Sequence, residues 1–170
     1  VGWAGKSPHI EYLVRFLSDY IHVATLSRGY KRKTKGYLQV HQHHSAQDVG
    51  DEPLQFRRKF NNDIVVAVAE NRMFGIPKIL ADKPSTQAIL LDDAFQHLAV
   101  EPGLNILLTE YNRRFTKDFL LPSGRLREWR SAYHRADVII VTKCSPEISD
   151  GERTSIVEEI NLMPHQSLYF

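Results

Sequence analysis

The first residues of the chain have the types and spacing of a phosphate-binding loop. Gly5, Lys6 and Ser7 match the end of the pattern Gly-x-x-x-x-Gly-Lys-Ser/Thr. In that pattern, backbone N–H groups surround phosphate oxygens, the lysine neutralises phosphate charge, and the hydroxyl binds Mg²⁺. The first glycine of the pattern would precede residue 1, so an exposed Gly-Lys-Ser without function is the alternative interpretation.

Two adjacent carboxylates follow an apolar segment in the middle of the chain. Asp92 and Asp93 come directly after Ile89–Leu91. An acid at the carboxyl end of a buried strand holds Mg²⁺ in P-loop enzymes, and neighbouring acids need a cation to offset their repulsion. An ordinary turn is the alternative, because aspartate is common in turns. Together with Ser7, the pair predicts a site for Mg²⁺.

A third polar segment follows another apolar run. Thr142 and Lys143 occupy the position of the base-reading Asn/Thr-Lys-x-Asp element of GTPases, but Ser145 stands where the aspartate would be. The segment therefore predicts contact with a nucleotide, with adenine favoured over guanine. A strand that simply ends in Thr-Lys is the alternative.

Strands and helices must alternate to bring these segments together. Five short, continuous apolar runs have the character of strands buried on both faces: His22–Ser27, Asp63–Ala69, Ala88–Asp93, Asn105–Glu110 and Asp137–Thr142. Helical patterns occur at Pro8–Tyr20, Glu52–Asn61, Gly124–Arg135 and Arg153–Leu162. Residues 31–49 are expected to form a long loop with a short hairpin around Tyr37–His41. The order predicts an α/β fold of the P-loop NTPase type, with a mostly parallel sheet flanked by helices.

The composition is that of a globular domain. The chain has 170 residues, of which 42% are hydrophobic and 25% charged, with a formal net charge of +2. One nucleotide-binding domain is expected over residues 1–170. The single cysteine excludes a disulfide within the chain. No apolar run approaches the roughly 20 residues that a transmembrane helix needs.

Six segments in order resemble the motif series of the lipid A 4'-kinase (tetraacyldisaccharide 4'-kinase) family. They are Gly5–His9, Leu26–Tyr30, Val49–Pro53, Asp92–His97, Leu121–Glu128 and Thr142–Cys144. The resemblance implies transfer of the ATP γ-phosphate to the 4'-hydroxyl of tetraacyldisaccharide 1-phosphate. It further implies Mg²⁺ as cofactor, the lipid A precursor and a peripheral membrane surface as partners, and the cytoplasmic face of the inner membrane as location. Nucleic acid is not an expected partner.

The resemblance also implies a role for individual residues. ATP is expected to contact Gly2, Gly5, Lys6, Ser7, Thr142 and Lys143. Asp51 is expected to be the general base, although a carboxylate before Glu52-Pro53 is also typical of a helix N-cap. Magnesium is expected at Ser7, Asp92, Asp93 and Glu128. Substrate phosphate is expected at Arg28, Arg125 and Arg127. The last two arginines could equally belong to a solvated helix face.

Some residues depart from the family pattern. Trp3 stands where the loop usually has a second glycine, and Ala94 replaces the glycine after the paired acids. The family's first helix and strand and its later half have no counterpart, so the chain is expected to be trimmed at both ends and inactive by itself. Two other functions compete with the kinase. One is a P-loop ATPase that couples hydrolysis to a protein partner, and the other is a module that has lost nucleotide binding through Trp3.

Two further clusters have ordinary explanations. His41, His43 and His44 lie in a sequence without the cysteine or acid spacing of a zinc site, so we expect a polar loop. The basic run Lys31–Lys35 suits an anionic membrane or the substrate's own phosphate. A solvated loop explains the basic run equally well.

Overall fold

The computed structural model describes residues 5–170, which form two compact units. One contains Lys6–Val100 and the other contains Glu101–Phe170. Each unit has its own sheet, of four strands in the first and three in the second. The expectation of one domain over the whole chain stays a prediction.

The first unit is a mostly parallel sheet with helices on both faces. Its elements are α1 (Lys6–Ser18), β1 (Val23–Ser27), β2 (Leu38–Gln39), α2 (Ala46–Val49), α3 (Asp51–Phe60), β3 (Val65–Val68), α4 (Arg72–Asp82) and β4 (Ala88–Leu91). The strand order is β2-β3-β1-β4. Strand β1 pairs in parallel with β3 and β4, and β2 runs antiparallel to β3. The predicted α/β fold with a mostly parallel sheet is confirmed.

Alternate residues of the central strands belong to two different hydrophobic clusters. Val66 and Val68 of β3 pack with Val14 of α1 and with apolar residues of α3. Their neighbours Val65 and Ala67 belong to the opposite cluster, which contains Ile79 of α4. Because successive side chains of a strand point to opposite faces, a strand covered by helices on both sides is apolar throughout.

Helix α4 is not predicted from the sequence, because it contains two residues that disfavour helices. Pro77 lies inside it and Gly75 lies one turn from its start. The glycine has a packing reason, since a Cβ there would lie 3.0 Å from the side chains of Leu26 and Ala69. Tertiary packing of α4 against β1 therefore outweighs its poor helix propensity.

The expected hairpin around Tyr37–His41 is wrong. Leu38 and Gln39 instead form a single edge strand, which pairs antiparallel with β3 through Val68 and Ala67. Val40 is fully buried in the core of the first unit. Burial against the existing sheet is more favourable than an isolated two-stranded hairpin, which is marginally stable at best.

The second unit has a parallel three-stranded sheet. Its strands are β5 (Ile106–Glu110), β6 (Val138–Thr142) and β7 (Ser167–Tyr169), in that order across the sheet. Helix α5 (Asp150–Ile160) begins with a capping box, in which Glu152 N–H donates to Ser149 Oγ over 3.2 Å. Strand β7 was not predicted from the sequence.

The predicted helix over Gly124–Arg135 is wrong. Only Arg130–Arg135 is helical, and it is a short 3₁₀-helix. The preceding turn is tied by other bonds, because the Asp118 carboxylate accepts from Phe119 N and Arg125 N over 2.8 and 3.2 Å. These local bonds give the backbone an alternative to the helical hydrogen-bond ladder.

A half-buried ion cluster stabilises the second unit. Arg114 donates to both carboxylate oxygens of Glu159 over 2.8 and 2.9 Å, and Thr116 and Lys117 also contact that carboxylate. The hydrogen bonds from Arg114 lower the pKa of Glu159 from 4.5 to about 2, although partial burial opposes the shift. A carboxyl group whose pKa is lower in the folded state than in the unfolded state stabilises the fold at pH values above its unfolded pKa, here 4.5. That contribution is lost as the pH falls from 4.5 towards the folded pKa of about 2.

Glu159→Gln is therefore expected to lower the free energy of unfolding by about 2 kcal/mol at neutral pH. The difference from wild type should shrink as the pH falls below 4.5. Urea unfolding of both proteins across this pH range measures it, with the exposed neighbour Glu158→Gln as the control. A loss that persists unchanged at pH 3 would contradict this account.

Candidate functional site

The predicted phosphate-binding residues lie at the start of a helix. Helix α1 begins at Lys6, immediately after Gly5, whose φ of 81° is in the region that favours glycine. Pro8 occupies the first turn, where a missing N–H costs nothing. The free amides and the positive dipole end of such a helix suit an anion. Gly2 and Trp3 lie outside the described residues, so their expected effects on ATP stay predictions.

The paired acids lie beside the phosphate-loop lysine. Asp92 and Asp93 follow β4, as expected, and Lys6 Nζ lies 2.5 Å from Asp93 Oδ1. Asp93 has a φ of 49°, an uncommon conformation for a residue other than glycine. Strain of this kind persists where neighbouring structure holds it, and it is frequent at functional sites. The structure thus brings together two of the segments that the sequence separates by more than 80 residues.

A third carboxylate joins this cluster and was missed from the sequence. Ser7 Oγ donates to Glu52 Oε1 in α3, and Glu52 also shares a hydrogen bond with Asp92. Burial raises the pKa of Glu52 from 4.5 to about 7, and the charge of Asp92 adds to the effect. Its position directly after Asp51 in a conspicuous polar motif was the available signal.

The oxygen donors in the first unit fit Mg²⁺. This hard cation prefers oxygen ligands and usually takes one or two protein carboxylates together with phosphate oxygens and water. Asp92 Oδ1 is buried and has no hydrogen-bond partner among the described residues, which leaves it available to a cation. Across residues 5–170, no three acidic, histidine or cysteine side chains form a preassembled metal cage. A site that is completed by the nucleotide's own phosphates is consistent with both observations.

The raised pKa of Glu52 has a consequence for stability. A carboxyl group with a raised pKa in the folded state stabilises the fold below its unfolded value of 4.5, and that contribution is lost as the pH rises through about 7. Glu52→Gln, which stays neutral, is expected to be more stable than wild type at pH 8 by roughly 2 kcal/mol when Mg²⁺ is absent.

Urea unfolding between pH 5 and 8 in the presence of a chelator tests this expectation. Glu101→Gln serves as the control, because the side chain of Glu101 is exposed to solvent. If wild type and Glu52→Gln show the same dependence on pH, the carboxylate cluster does not raise the pKa of Glu52.

Two glycines set the position of Asp51. Asp51 is the first residue of α3, and the N-cap is Gly50, with a φ of 92°. The alternative that Asp51 is the N-cap is therefore wrong. A Cβ on Gly50 would lie 3.2 Å from backbone atoms of Gly29, and one on Gly29 would lie 2.8 Å from the Val49 carbonyl oxygen. This close backbone contact joins the motif that contains Arg28 to the motif that contains Asp51.

A buried arginine connects the ends of two strands. Arg72, only 2% exposed, donates from Nη1 to the Ala69 carbonyl oxygen over 2.8 Å and from Nη2 to that of Asp92 over 3.1 Å. Burial lowers the pKa of Arg72, and the nearby charge of Arg28 contributes to the same direction. Arg28 itself is exposed. Sequence reasoning missed Arg72, which holds the carboxylate-bearing end of β4.

The remaining predicted residues lie in the second unit. Thr142 ends β6 and donates to the Thr109 carbonyl oxygen over 3.3 Å, and Lys143 is ion-paired with Glu110. Glu128 accepts two hydrogen bonds from Arg135 over 2.8 and 2.9 Å.

The two arginines predicted to bind phosphate in the second unit lie in a turn. Arg125 and Arg127 are exposed. A solvated helix face does not explain them, because these residues are not helical. The functional roles expected for the residues of the second unit stay predictions.

The histidine cluster (His41, His43 and His44) and the basic run Lys31–Lys35 have distinct structures. The rings of His41, His43 and His44 lie 4.5–5.6 Å apart, and His44 Nδ1 accepts from the backbone N–H of His41. In the basic run, the side chain of Arg32 is only 2% exposed and lies 2.6 Å from Glu70. Arg32 therefore stabilises the loop and cannot offer its charge to a membrane.

The first unit and its site define a class of protein. A lysine and a serine begin a helix, and paired carboxylates end a parallel strand beside them. This arrangement is that of a P-loop nucleotide-binding fold of the kinase type.

Comparison with known proteins identifies the family. A family model described as "LpxK: Tetraacyldisaccharide-1-P 4'-kinase" matches residues 1–168, and the chain belongs to this family. Proteins named tetraacyldisaccharide 4'-kinase from Bacteroides thetaiotaomicron and Bacteroides fragilis are 50% and 52% identical to it over the whole chain. The chain spans 45% of the length of each.

A solved structure agrees with this assignment. It is that of LpxK from Aquifex aeolicus in complex with ATP, with a TM-score of 0.76 and 35% identity. The match covers 99% of this chain and 50% of the solved chain. Within residues 5–170, none of the helices is long and apolar enough to cross a membrane.

Proposed function

We propose that the protein to which this chain belongs transfers the γ-phosphate of ATP to the 4'-hydroxyl of tetraacyldisaccharide 1-phosphate, a step of lipid A synthesis. The observation that carries the proposal is the cluster of Lys6, Ser7, Glu52, Asp92 and Asp93 in a member of this family. The names of the relatives and the ATP bound to the LpxK structure support the same substrates.

The α1 end of the site is proposed to bind the phosphates of ATP. Lys6 would offset the negative charge on the transferred phosphoryl group. Its ion pair with Asp93 already holds the Nζ atom beside the carboxylates of the site. Ser7, Asp92 and Glu52 would hold Mg²⁺, and Asp93 would join them when Lys6 turns to phosphate. When bound, Mg²⁺ neutralises charge on the phosphate oxygens. Glu52 must lose its proton to bind the cation.

Asp51 is proposed to act on the acceptor. It would accept the proton of the 4'-hydroxyl while the oxygen–phosphorus bond forms and the bond from the γ-phosphorus to ADP breaks. Because the transition state of phosphoryl transfer is loose, positioning contributes more than a strongly basic group would. The contact between Gly29 and Gly50 supports this role, since it fixes the start of α3.

Residues of the second unit complete the proposal. We propose that Thr142 and Lys143 contribute to binding the nucleotide and that Glu128 contributes to binding Mg²⁺. Arg125 and Arg127 are proposed to contact phosphate, together with Arg28 of the first unit, because the guanidinium fork matches phosphate oxygens. Since the acceptor is a lipid with a sugar headgroup and ATP is the donor, we place the reaction at the cytoplasmic face of the bacterial inner membrane.

A transfer assay on the full-length protein tests the proposal. The protein is incubated with γ-labelled ATP, Mg²⁺ and tetraacyldisaccharide 1-phosphate in detergent, and label in the lipid is measured. Transfer that depends on both Mg²⁺ and the acceptor is expected. Hydrolysis of ATP that is unaffected by the acceptor, with no labelled lipid, would favour a P-loop ATPase.

A further inference from the structure

Two buried polar atoms without a hydrogen-bond partner lie at the carboxyl edge of the first sheet. They are Ser27 Oγ, at the end of β1, and Asp92 Oδ1, directly after β4, and neither has a partner within residues 5–170. A buried polar group that stays unpaired costs free energy, so each one in a folded protein needs an explanation. The proposed metal site explains Asp92 Oδ1, but it does not explain the hydroxyl of Ser27.

The register of the sheet makes Ser27 and Asp92 neighbours. Strands β1 and β4 are parallel, and Leu26 is paired with Leu91. The Asp92 N–H donates to the Leu26 carbonyl oxygen over 3.1 Å, which continues the pairing by one residue. Because neighbouring strands lie about 4.8 Å apart, the side chains of Ser27 and Asp92 start from adjacent points of the backbone.

The two side chains also point to the same face of the sheet. Val23 of β1 belongs to the hydrophobic cluster that includes α1 and α3, and Leu90 of β4 packs against that cluster. Successive residues of a strand alternate between faces, so Ser27, four residues after Val23, and Asp92, two after Leu90, lie on the α1 and α3 face. The hydrogen bond that Asp92 shares with Glu52 of α3 agrees with this placement.

The backbone of Ser27 is fixed, which makes its hydroxyl a prepositioned group. Its carbonyl oxygen accepts from the Ala69 N–H over 2.9 Å, and the residue pairs with Val68 of β3. Serine differs from alanine only by the hydroxyl, and alanine at this strand end would leave no unpaired polar atom. A ligand that bonds to the hydroxyl would explain the serine.

The neighbouring carboxylate restricts what that ligand can be. A phosphate oxygen carries negative charge and would be repelled by Asp92. A hydrogen-bond donor is favoured instead, because a hydroxyl oxygen has two lone pairs to offer. Mg²⁺ bound to proteins usually keeps several water ligands, and each such water gives a lone pair to the metal and presents its hydrogens outwards.

We propose that Ser27 Oγ accepts a hydrogen bond from a water ligand of Mg²⁺ when the metal is bound at Asp92. This inference rests on the proposed function and adds a positioning residue to it. Ser27 orients the hydrated ion and does not contact the reacting atoms. The cost of a buried unpaired hydroxyl in the empty site is then offset when the metal is bound.

A second unpaired hydroxyl in the same unit provides a matched control. Thr86 Oγ1 is also buried and has no hydrogen-bond partner in the described part of the chain. Thr86 precedes β4, at the opposite end of that strand from Asp92. Thr86→Val therefore removes a buried unpaired hydroxyl of the same kind at the other edge of the sheet.

The first measurement is metal affinity in the full-length protein. Mn²⁺, which shares the preference of Mg²⁺ for six oxygen ligands, is titrated in the presence of a non-hydrolysable ATP analogue, and free Mn²⁺ is followed by electron paramagnetic resonance. Ser27→Ala is expected to weaken Mn²⁺ binding about tenfold, because a hydrogen bond to a charged group is lost. Ser27→Cys should resemble Ser27→Ala, since sulfur is a weak acceptor, and Thr86→Val should bind as wild type does.

The second measurement is thermal unfolding of the same variants. In the presence of a chelator, Ser27→Ala is expected to unfold at the wild-type temperature or slightly above it, because the hydroxyl that it removes has no partner in the fold. With Mn²⁺ and the ATP analogue, wild type should gain more in unfolding temperature than Ser27→Ala, because it binds the metal more tightly.

Two results would overturn the proposed role of Ser27 and leave the proposed function intact. One is a Ser27→Ala variant that binds Mn²⁺ as tightly as wild type. The other is a Ser27→Ala variant that unfolds below the wild-type temperature in chelator, which would show that the hydroxyl stabilises the empty fold. Failure of wild type to bind Mn²⁺ with the analogue would instead overturn the proposed metal site, and the role of Ser27 with it.

Discussion

Replacement of Asp51 by asparagine in the full-length protein is expected to lower kcat for phosphate transfer by about a thousandfold. Asparagine has nearly the same shape and keeps the start of α3, but it cannot accept the proton of the acceptor hydroxyl. Because Asp51 is exposed at the first position of the helix, the substitution should leave the fold unchanged. The KM for ATP should stay close to the wild-type value, since the phosphate-binding residues are untouched.

Initial rates with labelled ATP measure this effect, and Asp63→Asn is the control. Asp63 is an exposed aspartate that follows α3, outside the proposed site. Thermal unfolding of each variant separates loss of chemistry from loss of fold. If Asp51→Asn retained more than a tenth of wild-type kcat, another group would have to accept the proton, and the proposed role of Asp51 would be rejected.

Replacement of Lys6 by methionine is expected to have a comparable effect, with loss of both ATP affinity and kcat. The ammonium lies 2.5 Å from Asp93 in a cluster that also contains Asp92 and Glu52. Removing the ammonium leaves these carboxylates without their nearest lysine. It also removes the positive charge that would bind the transferred phosphate. A reduction of kcat/KM for ATP by about a thousandfold follows if the lysine stabilises the transition state as P-loop lysines do.

Two further variants sharpen this experiment. Lys6→Arg keeps the charge but replaces a compact ammonium by a larger planar group, so we expect little recovery of activity. Lys78→Met, on the exposed side of α4, should behave as wild type. If Lys6→Met bound ATP and transferred phosphate within about threefold of wild type, Gly5-Lys6-Ser7 would not be the phosphate-binding loop of this protein.

The sequence by itself determined the class of fold and predicted part of the candidate site. The continuous apolar runs that became β1, β3 and β4 are readable because a strand covered on both faces needs apolar residues at every position. Lys6, Ser7, Asp92 and Asp93 were found for a related reason. Each stands at the end of a strand or the start of a helix, where its chemistry is unusual enough to be recognised.

The local sequence pattern was misleading where tertiary contacts or specific side-chain bonds override helix propensity. Helix α4 contains Gly75 and Pro77, and its close packing against Leu26 and Ala69 explains the glycine. The segment before Arg130 has helical periodicity, yet the carboxylate of Asp118 bonds its backbone into a turn. Such effects depend on residues that are distant along the chain or on specific side-chain bonds, which periodicity does not report.

The tertiary structure alone decided which polar residues share the site. Glu52 reads as an ordinary acid in the first turn of a helix, but the fold half-buries it beside Ser7 and Asp92, and partial burial next to a like charge raises its pKa. Arg72 reads as a surface cation, but it is buried at the ends of β3 and β4, where it donates to three backbone carbonyl groups. Residue type and motif are properties of the sequence, whereas burial and the distance between charges exist only after the chain has folded.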